Sequence, residues 1–549
     1  MKRSFFFFIS LFLFYSCNKT QAHLPPAELF NVTGSLINGN SATVQYNIGY
    51  SPVIKVSFSA PVNRSLVPNN VLLKLNGAAA TAVNFSYQNS DSTIIIQPIN
   101  ALTPISKYIL SVTTNLQSVR NRNLQSAFAI TFITQIDSTD KFPLLTDNQL
   151  LDTVQRRTFR YFWEFGHPVS GMARERNTSG DIVTTGGTGF GIMAMVAAVS
   201  RDFITRTEAK GRILVISNFL MNNCTRYHGA FAHWINGASG ATVPFSPNDN
   251  GADLVETSYL MEGLIIARQY FNTADAGEID LRNKINVLLD AVEWNWFRQN
   301  NQNVLYWHWS PDKAWIINAQ VRGWNEAMIT YIMASSSLTD SIPKIVYDNG
   351  WAANGSIRNN NTYYGYQLPL GPSNGGPMFF EHYSFLGINP VGLSDAYANY
   401  QVQTVNHTKI NYEYCKANPH GWNGYSNLCW GLTASDIPTR YNANEPNNDP
   451  GVISPTAALS SMPYTPIESI NALKFFYYKL GDKTWGQYGF IDAFKLSDPW
   501  FANSFLAIDQ GPIIVMIENY RSGLLWNLFT SAPEIKNGMR RLGFTAPYL

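Results

Sequence analysis

Charge is scarce in this 549-residue chain: only 14% of its residues are Asp, Glu, Lys or Arg, against about 25% in an ordinary soluble domain. The 39 Lys and Arg nearly cancel the 37 Asp and Glu, leaving a formal charge of +2. That excludes the dense positive field on which non-specific nucleic-acid binding depends, so no nucleic-acid partner is expected. Cysteine is almost missing, with four residues and no Cys-x-x-Cys pair, which argues against a structural zinc site. No His-Glu-x-x-His occurs, and no metal or cofactor is expected. Long apolar runs are confined to Phe5–Phe14, too short at about 1.5 Å per residue to span a bilayer of about 30 Å. Hydrophobic residues nevertheless make up 45% of the chain, enough for a large core and too many for a mainly disordered protein. Aromatics are plentiful, with 14 Trp, 28 Tyr and 33 Phe. Neutral polar groups mixed with flat rings suit an uncharged polyol such as a sugar.

Lys2 and Arg3 ahead of Phe5–Phe14 read as a secretory signal peptide. Phe14-Tyr15-Ser16-Cys17 looks like a bacterial lipobox. It implies a leader over 1–17, lipidation of Cys17, and a membrane attachment through that lipid alone. Ordinary secretion with cleavage nearby is the alternative. Cys224, Cys415 and Cys429 then remain, an odd number that leaves at least one free thiol. Cys415 and Cys429 can close a small loop, or all three can be buried thiols.

Residues 28–136 read as strands. Ile54, Val56 and Phe58 alternate with Lys55 and Ser57; Val83, Phe85 and Tyr87 alternate with Asn84 and Ser86; Phe128, Ile130 and Phe132 repeat the pattern. Period-two alternation buries one face of a sheet. About seven short strands with turn signals such as Asn76-Gly77 point to a β-sandwich. Through Val53–Pro61 and Val71–Leu75 the segment resembles bacterial Ig-like domains. From 145 to 549 the texture is helical. Capping boxes are expected at Thr205–Glu208 and Thr465–Glu468, the second helix ending at Gly481. Further helices are expected over Gly191–Ser200, Asp253–Phe271, Ile279–Phe297, Asn325–Ser336 and Pro512–Tyr520. Roughly a dozen helices with long Gly-, Asn- and Trp-rich loops suggest an all-α (α/α)6 toroid; an α-solenoid is the rival, without a repeat period to support it.

Candidate chemistry is carboxylate chemistry. Asp249 precedes a helix, and Asp253 and Glu256 share one face of its first turns. Asp253 can equally be the N-cap, with Glu256 its capping partner. A calcium EF-hand is excluded because Thr257 stands where the bidentate acid belongs. Glu326, in Gly323-Trp324-Asn325-Glu326, stands at a helix start where an apolar wall raises a carboxyl pKa. Asp509 is an acid within an apolar run. Glu381 and His382 are wrapped in rings, as an active-site pair or a satisfied core pair. Gly187-Thr188-Gly189-Phe190-Gly191 has no strand before it and no Lys after it, so it is not a phosphate cradle. Gly371-Pro372-Ser373-Asn374-Gly375 lacks the helix a nucleophile elbow requires. One neutral acid and one ionised carboxylate are what glycosidic-bond hydrolysis needs.

The motifs Thr158–Trp163, Ala173-Arg174-Glu175-Arg176, Gly323-Trp324-Asn325-Glu326, Phe380-Glu381-His382 and Ser497–Pro512 resemble the glucoamylase-like family that includes glycoside hydrolase family 144. The resemblance runs from Asp147 to Leu549. It implies an (α/α)6 barrel and an inverting hydrolase of β-1,2-linked glucose whose acidic cleft residues map to Asp249, Asp253, Glu256, Glu326 and Asp509. Glu326 is expected as general acid and Asp509 as general base, with Asp253 or Asp249 as substitutes. Glu256, Arg176, Trp324, Glu381, His382 and Trp500 are expected to bind substrate. The Ig-like segment would close one end of the cleft and favour short products such as sophorose from a monomeric enzyme. A glycan-binding lipoprotein without hydrolysis, or a hydrolase of another glucan, are the alternatives.

Overall fold

The computed structural model describes residues 29–549; the expected leader and Cys17 lie outside them. The chain divides into two compact units between Thr134 and Gln135.

The first unit is a sandwich of eight strands: β1 (Val32–Ile37), β2 (Val44–Ile48), β3 (Ile54–Phe58), β4 (Val71–Leu75), β5 (Val83–Gln88), β6 (Thr93–Pro98), β7 (Lys107–Val112) and β8 (Phe128–Thr134). One sheet has the order β1-β3-β6-β5 and the other β2-β8-β7-β4. Among the described strands only the β2–β8 pair is parallel. Register follows the alternation: Ile54 lies opposite Ile96 and Val56 opposite Ile94, all four fully buried. A one-residue slip would turn these side chains to water, so the pattern fixes the pairing. β5 keeps the alternation but sits at a sheet edge, and Val83, Phe85 and Tyr87 are only half-buried.

In the second unit, outer and inner helical segments alternate along the chain. The outer ones are α1 (Asp147–Trp163), α3 (Arg206–Asn222), α5 (Ala276–Asp290), a turn pair over Lys344–Val346 and Tyr347–Trp351, α7 (Tyr400–Ala417) and α9 (Pro466–Lys474). The inner ones are α2 (Thr185–Ser200), α4 (Leu254–Tyr270), α6 (Met328–Ser336), the short turns Met378–Glu381 and Tyr383–Phe385, α8 (Pro455–Leu459) and α10 (Ala507–Ser522). Inner helices pack in sequence, α10 on α2, α2 on α4, α4 on α6, α6 on Tyr383–Phe385, and α8 on α10. His382 Nε2 to Ser461 Oγ (2.9 Å) and Tyr464 Oη donating to the Glu381 carbonyl (2.7 Å) close the ring. Six outer–inner pairs in a closed ring make the (α/α)6 toroid. Two further helices, α11 (Leu524–Ser531) and α12 (Pro533–Leu542), follow it.

Composition sorts the two layers. Every α2 residue from Thr185 to Ala198, and every α4 residue from Leu254 to Ala267, is buried. Outer α1 buries one face alone, as an amphipathic helix must. A Cβ on Gly189 would stand 2.1 Å from the Tyr259 carbonyl oxygen, and one on Gly263 2.3 Å from the Gly189 carbonyl oxygen. The two inner helices therefore touch backbone to backbone, and the glycines are what permit it.

Several local expectations need correction. The Gly187–Gly191 run is helical and follows a short strand, Ile182–Thr184, that pairs with Trp234–Asn236. Its glycines serve helix contact, so it is still no phosphate cradle. α6 starts at Met328, which leaves Glu326 in the preceding turn. α10 starts at Ala507, which places Asp509 inside its first turn. The Thr205–Glu208 capping box forms, with Glu208 Oε2 accepting from Thr205 N at 2.8 Å. That at Thr465 does not: Glu468 turns to Lys409 and the Thr465 hydroxyl to Ser469. Gly481 opens a short helix instead of ending one. Cys224, Cys415 and Cys429 are buried free thiols. No described helix is long and apolar enough to cross a membrane.

Candidate active site

The inner segments begin at one end of the ring, and their starts line a cavity of about 570 Å³. Thr184 precedes α2, Asp253 and Glu256 open α4, Glu326 precedes α6, and Leu506 and Ile508 flank the start of α10. Trp234, Phe245, Trp307 and Tyr441 supply flat faces, and Arg176 a cationic group.

Asp253 is the fixed point. Its Oδ1 accepts from the backbone N–H groups of Val255 (3.0 Å) and Glu256 (2.9 Å), capping α4. Its Oδ2 lies 3.0 Å from His233 Nδ1 and 3.6 Å from His308 Nε2. Burial alone would raise its pKa, but the two imidazoles outweigh it and hold Asp253 well below the usual carboxylate range. Burial opposes a charged His233, yet Glu256 and Asp253 lift its pKa to about 9. Asp249 Oδ2 sits 3.4 Å from His308 Nε2, and burial together with Asp253 raises its pKa. Glu256 does not reach back as a capping partner. Its Oε2 accepts instead from Gly186 N (2.7 Å) and the Thr184 hydroxyl (3.2 Å), tying α4 to the start of α2.

Glu326 has the opposite character. Burial raises its pKa to about 7, helped by the charges of Asp253 and Glu256. The cavity thus holds a carboxyl that is half neutral near pH 7 together with one that stays ionised. This is the division of labour that acid–base cleavage of an acetal requires.

Asp509 is not itself a lining residue of the cavity, although its neighbours Leu506 and Ile508 are. It is buried, as Asp253 is, and burial followed by Asp492 pushes its pKa far up. Burial and Asp436 raise the pKa of the buried Asp492 to about 7, and Asp492 Oδ1 and Asp509 Oδ2 are buried without a hydrogen-bond partner among the described residues. Asp492 Oδ2 accepts from Asp436 N (2.7 Å), and the Asp436 carboxylate takes Arg176 Nη1 (3.2 Å) and the Ser504 hydroxyl (2.6 Å). Asp492 therefore braces Arg176 at the cleft wall through Asp436.

Three expected binding residues lie in the core instead. Glu381 is fully buried and accepts from Trp324 Nε1 (3.0 Å), Gln403 Nε2 (2.8 Å) and His407 Nδ1 (2.8 Å). Trp324 spends its indole N–H there and packs against Trp351 and Tyr400. Burial drops the His382 pKa to about 3, so its ring is the neutral partner of Ser461. Trp500 lines a second depression of about 540 Å³ that shares Arg176 and Tyr441 with the cleft. His233, His308, Tyr441 and Asp492 were not anticipated. Only Asp492 had a usable signal, a lone acid in the apolar run Phe490-Ile491-Asp492-Ala493-Phe494.

The fold and the cleft are those of the helical-toroid glycoside hydrolases. A family model described as "Putative glucoamylase" matches residues 318–533, and the "Bacterial Ig-like domain" model matches residues 30–134. The chain is 47% identical over 431 residues to an exo β-1,2-glucooligosaccharide sophorohydrolase (non-reducing end) of Parabacteroides distasonis, covering 74% of this chain but 59% of that relative's length. It matches the endo-β-1,2-glucanase of Chitinophaga pinensis, solved with sophorotriose and glucose, at 47% identity and a TM-score of 0.72, over 74% of this chain and 100% of that one. A β-1,2-glucanase structure from P. distasonis matches at 38% identity and a TM-score of 0.71, over 94% of this chain and 74% of that one. The chain belongs to the glucoamylase-like family that includes glycoside hydrolase family 144.

Proposed function

We propose that the protein hydrolyses β-1,2-glucan by single displacement with inversion, releasing sophorose or short sophorooligosaccharides. The observation that carries this is the placing of Glu326 and Asp253 in one ring-lined cavity with opposite protonation. Glu326 delivers its proton to the leaving glycosidic oxygen. Asp253, which lines the same cavity, takes the proton from the attacking water as the new carbon–oxygen bond forms. Geometry precedes pKa in choosing a base, so this role moves from Asp509, which does not line the cavity, to Asp253, which does. Asp249 supports it through His308. Arg176 and the rings of Trp234 and Trp307 hold the neutral sugar.

Linear β-1,2-glucan incubated with the protein should yield new reducing ends, first as the anomer opposite to the cleaved bond. Retained configuration would overturn inversion; binding without reducing ends would make the protein a glycan receptor. The proposed setting is export, with the chain held by lipid on Cys17. The mass of the mature N-terminus from membranes tests this, and an unlipidated terminus would sink it.

A further inference from the structure

The segment from Trp307 to Trp315 leads from the cleft to a second group of rings. Trp307 lines the cavity. Two residues on, Trp309 meets Trp296 edge to face at 5.0 Å. Trp296 in turn stacks against His228 (3.5 Å, 12° between planes) and against Trp315 (4.9 Å, 28°). Trp296 and Trp315 form one side of a depression of about 380 Å³. Its other lining residues are the amides Asn295, Asn300 and Asn301 and the carboxylates Glu293 and Asp340, with no Lys or Arg.

The loop that carries the amides is built, not slack. Gln299, Asn300 and Asn301 adopt positive φ in succession (45°, 64° and 63°). Such backbone persists only where surrounding bonds over-determine it. Arg298 supplies them: its Nη1 donates to Asn295 Oδ1 (2.8 Å), its Nη2 to the Asn301 carbonyl (2.9 Å) and its Nε to the Gln302 carbonyl (2.8 Å). The carboxylates are partly engaged as well. Asp340 Oδ2 accepts from Asn295 N (2.7 Å), and Glu293 Oε2 meets His228 Nδ1 (2.8 Å).

We infer that this depression is an outlying binding site for a neutral glucan chain, separate from the cleft and connected to it by the 307–315 segment. Two tryptophans, three amides and hydroxyl-accepting carboxylates match a polyol and reject an anion. The site would seat a distant part of a long chain while another part is cut, raising the local concentration of scissile bonds.

The inference rests on the proposed function for the identity of its ligand, and the experiment separates the two. Trp315→Ala and the double variant Asn300→Ala/Asn301→Ala are compared with the unaltered protein on long linear β-1,2-glucan and on sophorotetraose. Thermal melting controls for folding; the Asn pair is exposed but holds positive φ, so Asn300→Gly/Asn301→Gly, which removes the amides and tolerates that backbone, accompanies the alanine pair and should give the same result. We expect about a three- to tenfold rise in KM on the long glucan, the worth of one lost ring contact, with kcat/KM on the tetraose unchanged. Equal losses on both substrates, or no loss on either, would overturn the site. Native electrophoresis in gels containing the long glucan provides a readout without turnover. A protein retarded there but unable to cleave fails the proposed function. If Trp315→Ala then abolishes the retardation, the outlying site stands, and unaltered mobility removes it.

Discussion

The Glu326 carboxyl gives the sharpest test of the mechanism. With a pKa of about 7, it is about 90% protonated at pH 6 and about 10% at pH 8, whereas an ordinary glutamate would be only a few per cent protonated at pH 6. kcat/KM on β-1,2-glucan should therefore fall about tenfold between pH 6 and pH 8, with a midpoint near 7. Glu326→Gln should abolish this limb and cut turnover by a factor of about 10²–10⁴. An activated substrate whose leaving group needs no proton should recover much of the loss. Stability carries the same signature with a definite sign. Because the folded pKa exceeds the unfolded one, the protonated form favours folding below about pH 4.5, and that contribution is lost as pH rises through 7. At pH 8 Glu326→Gln should then stabilise the protein by at most about 3 kcal/mol, while at pH 4 it should change little. The measurement is a pair of pH–rate profiles with melting curves. An alkaline limb that survives in Glu326→Gln would assign the proton to another group and end the argument.

Asp253→Asn should lower kcat at least a hundredfold while keeping the cap on α4, because an Asn oxygen accepts the same two backbone N–H bonds; Asp253→Ala should in addition lose that cap, at a cost of about 1 kcal/mol in urea unfolding. Asp509→Asn should keep more than about a tenth of wild-type turnover; a loss as deep as that of Asp253→Asn would return the base to Asp509. Gly189→Ala should fail to accumulate as folded protein, because its Cβ would meet the Tyr259 carbonyl at 2.1 Å. Gly211→Ala, in outer α3 with open space around it, should instead raise stability by about 0.5–1 kcal/mol.

The layered fold was legible because both of its signals are local and repeated: strict alternation in strands such as Ile54–Phe58, and unbroken apolar runs such as Ile192–Val199 in α2. The Asp249, Asp253 and Glu256 constellation was legible because the three residues share one loop and helix start. Glu381 and His382 were misplaced because a buried polar pair reads the same in sequence whether it faces substrate or core. What decides is Trp324, from the turn before α6, with Gln403 and His407, one turn apart on α7. His233 and His308 left no trace, since they reach Asp253 only through tertiary pairing. The Ala252–Asp253 strand lies against His308–Trp309, and such a register has no counterpart in spacing along the chain. α2 was drawn too short because its glycines resemble a loop until α4 is laid across them.

That crossing bears on how the enzyme can vary. With main chain resting directly on main chain at Gly189 and Gly263, α2 and α4 can neither slide nor roll, and the machinery at their tips inherits that stiffness. Diversity in which sugars are grasped must then come from the parts free to be rebuilt, such as the Ala434–Ile437 and Arg440–Ala443 hairpin that brings Tyr441 to the trench. The floor stays rigid while the rim is open to change.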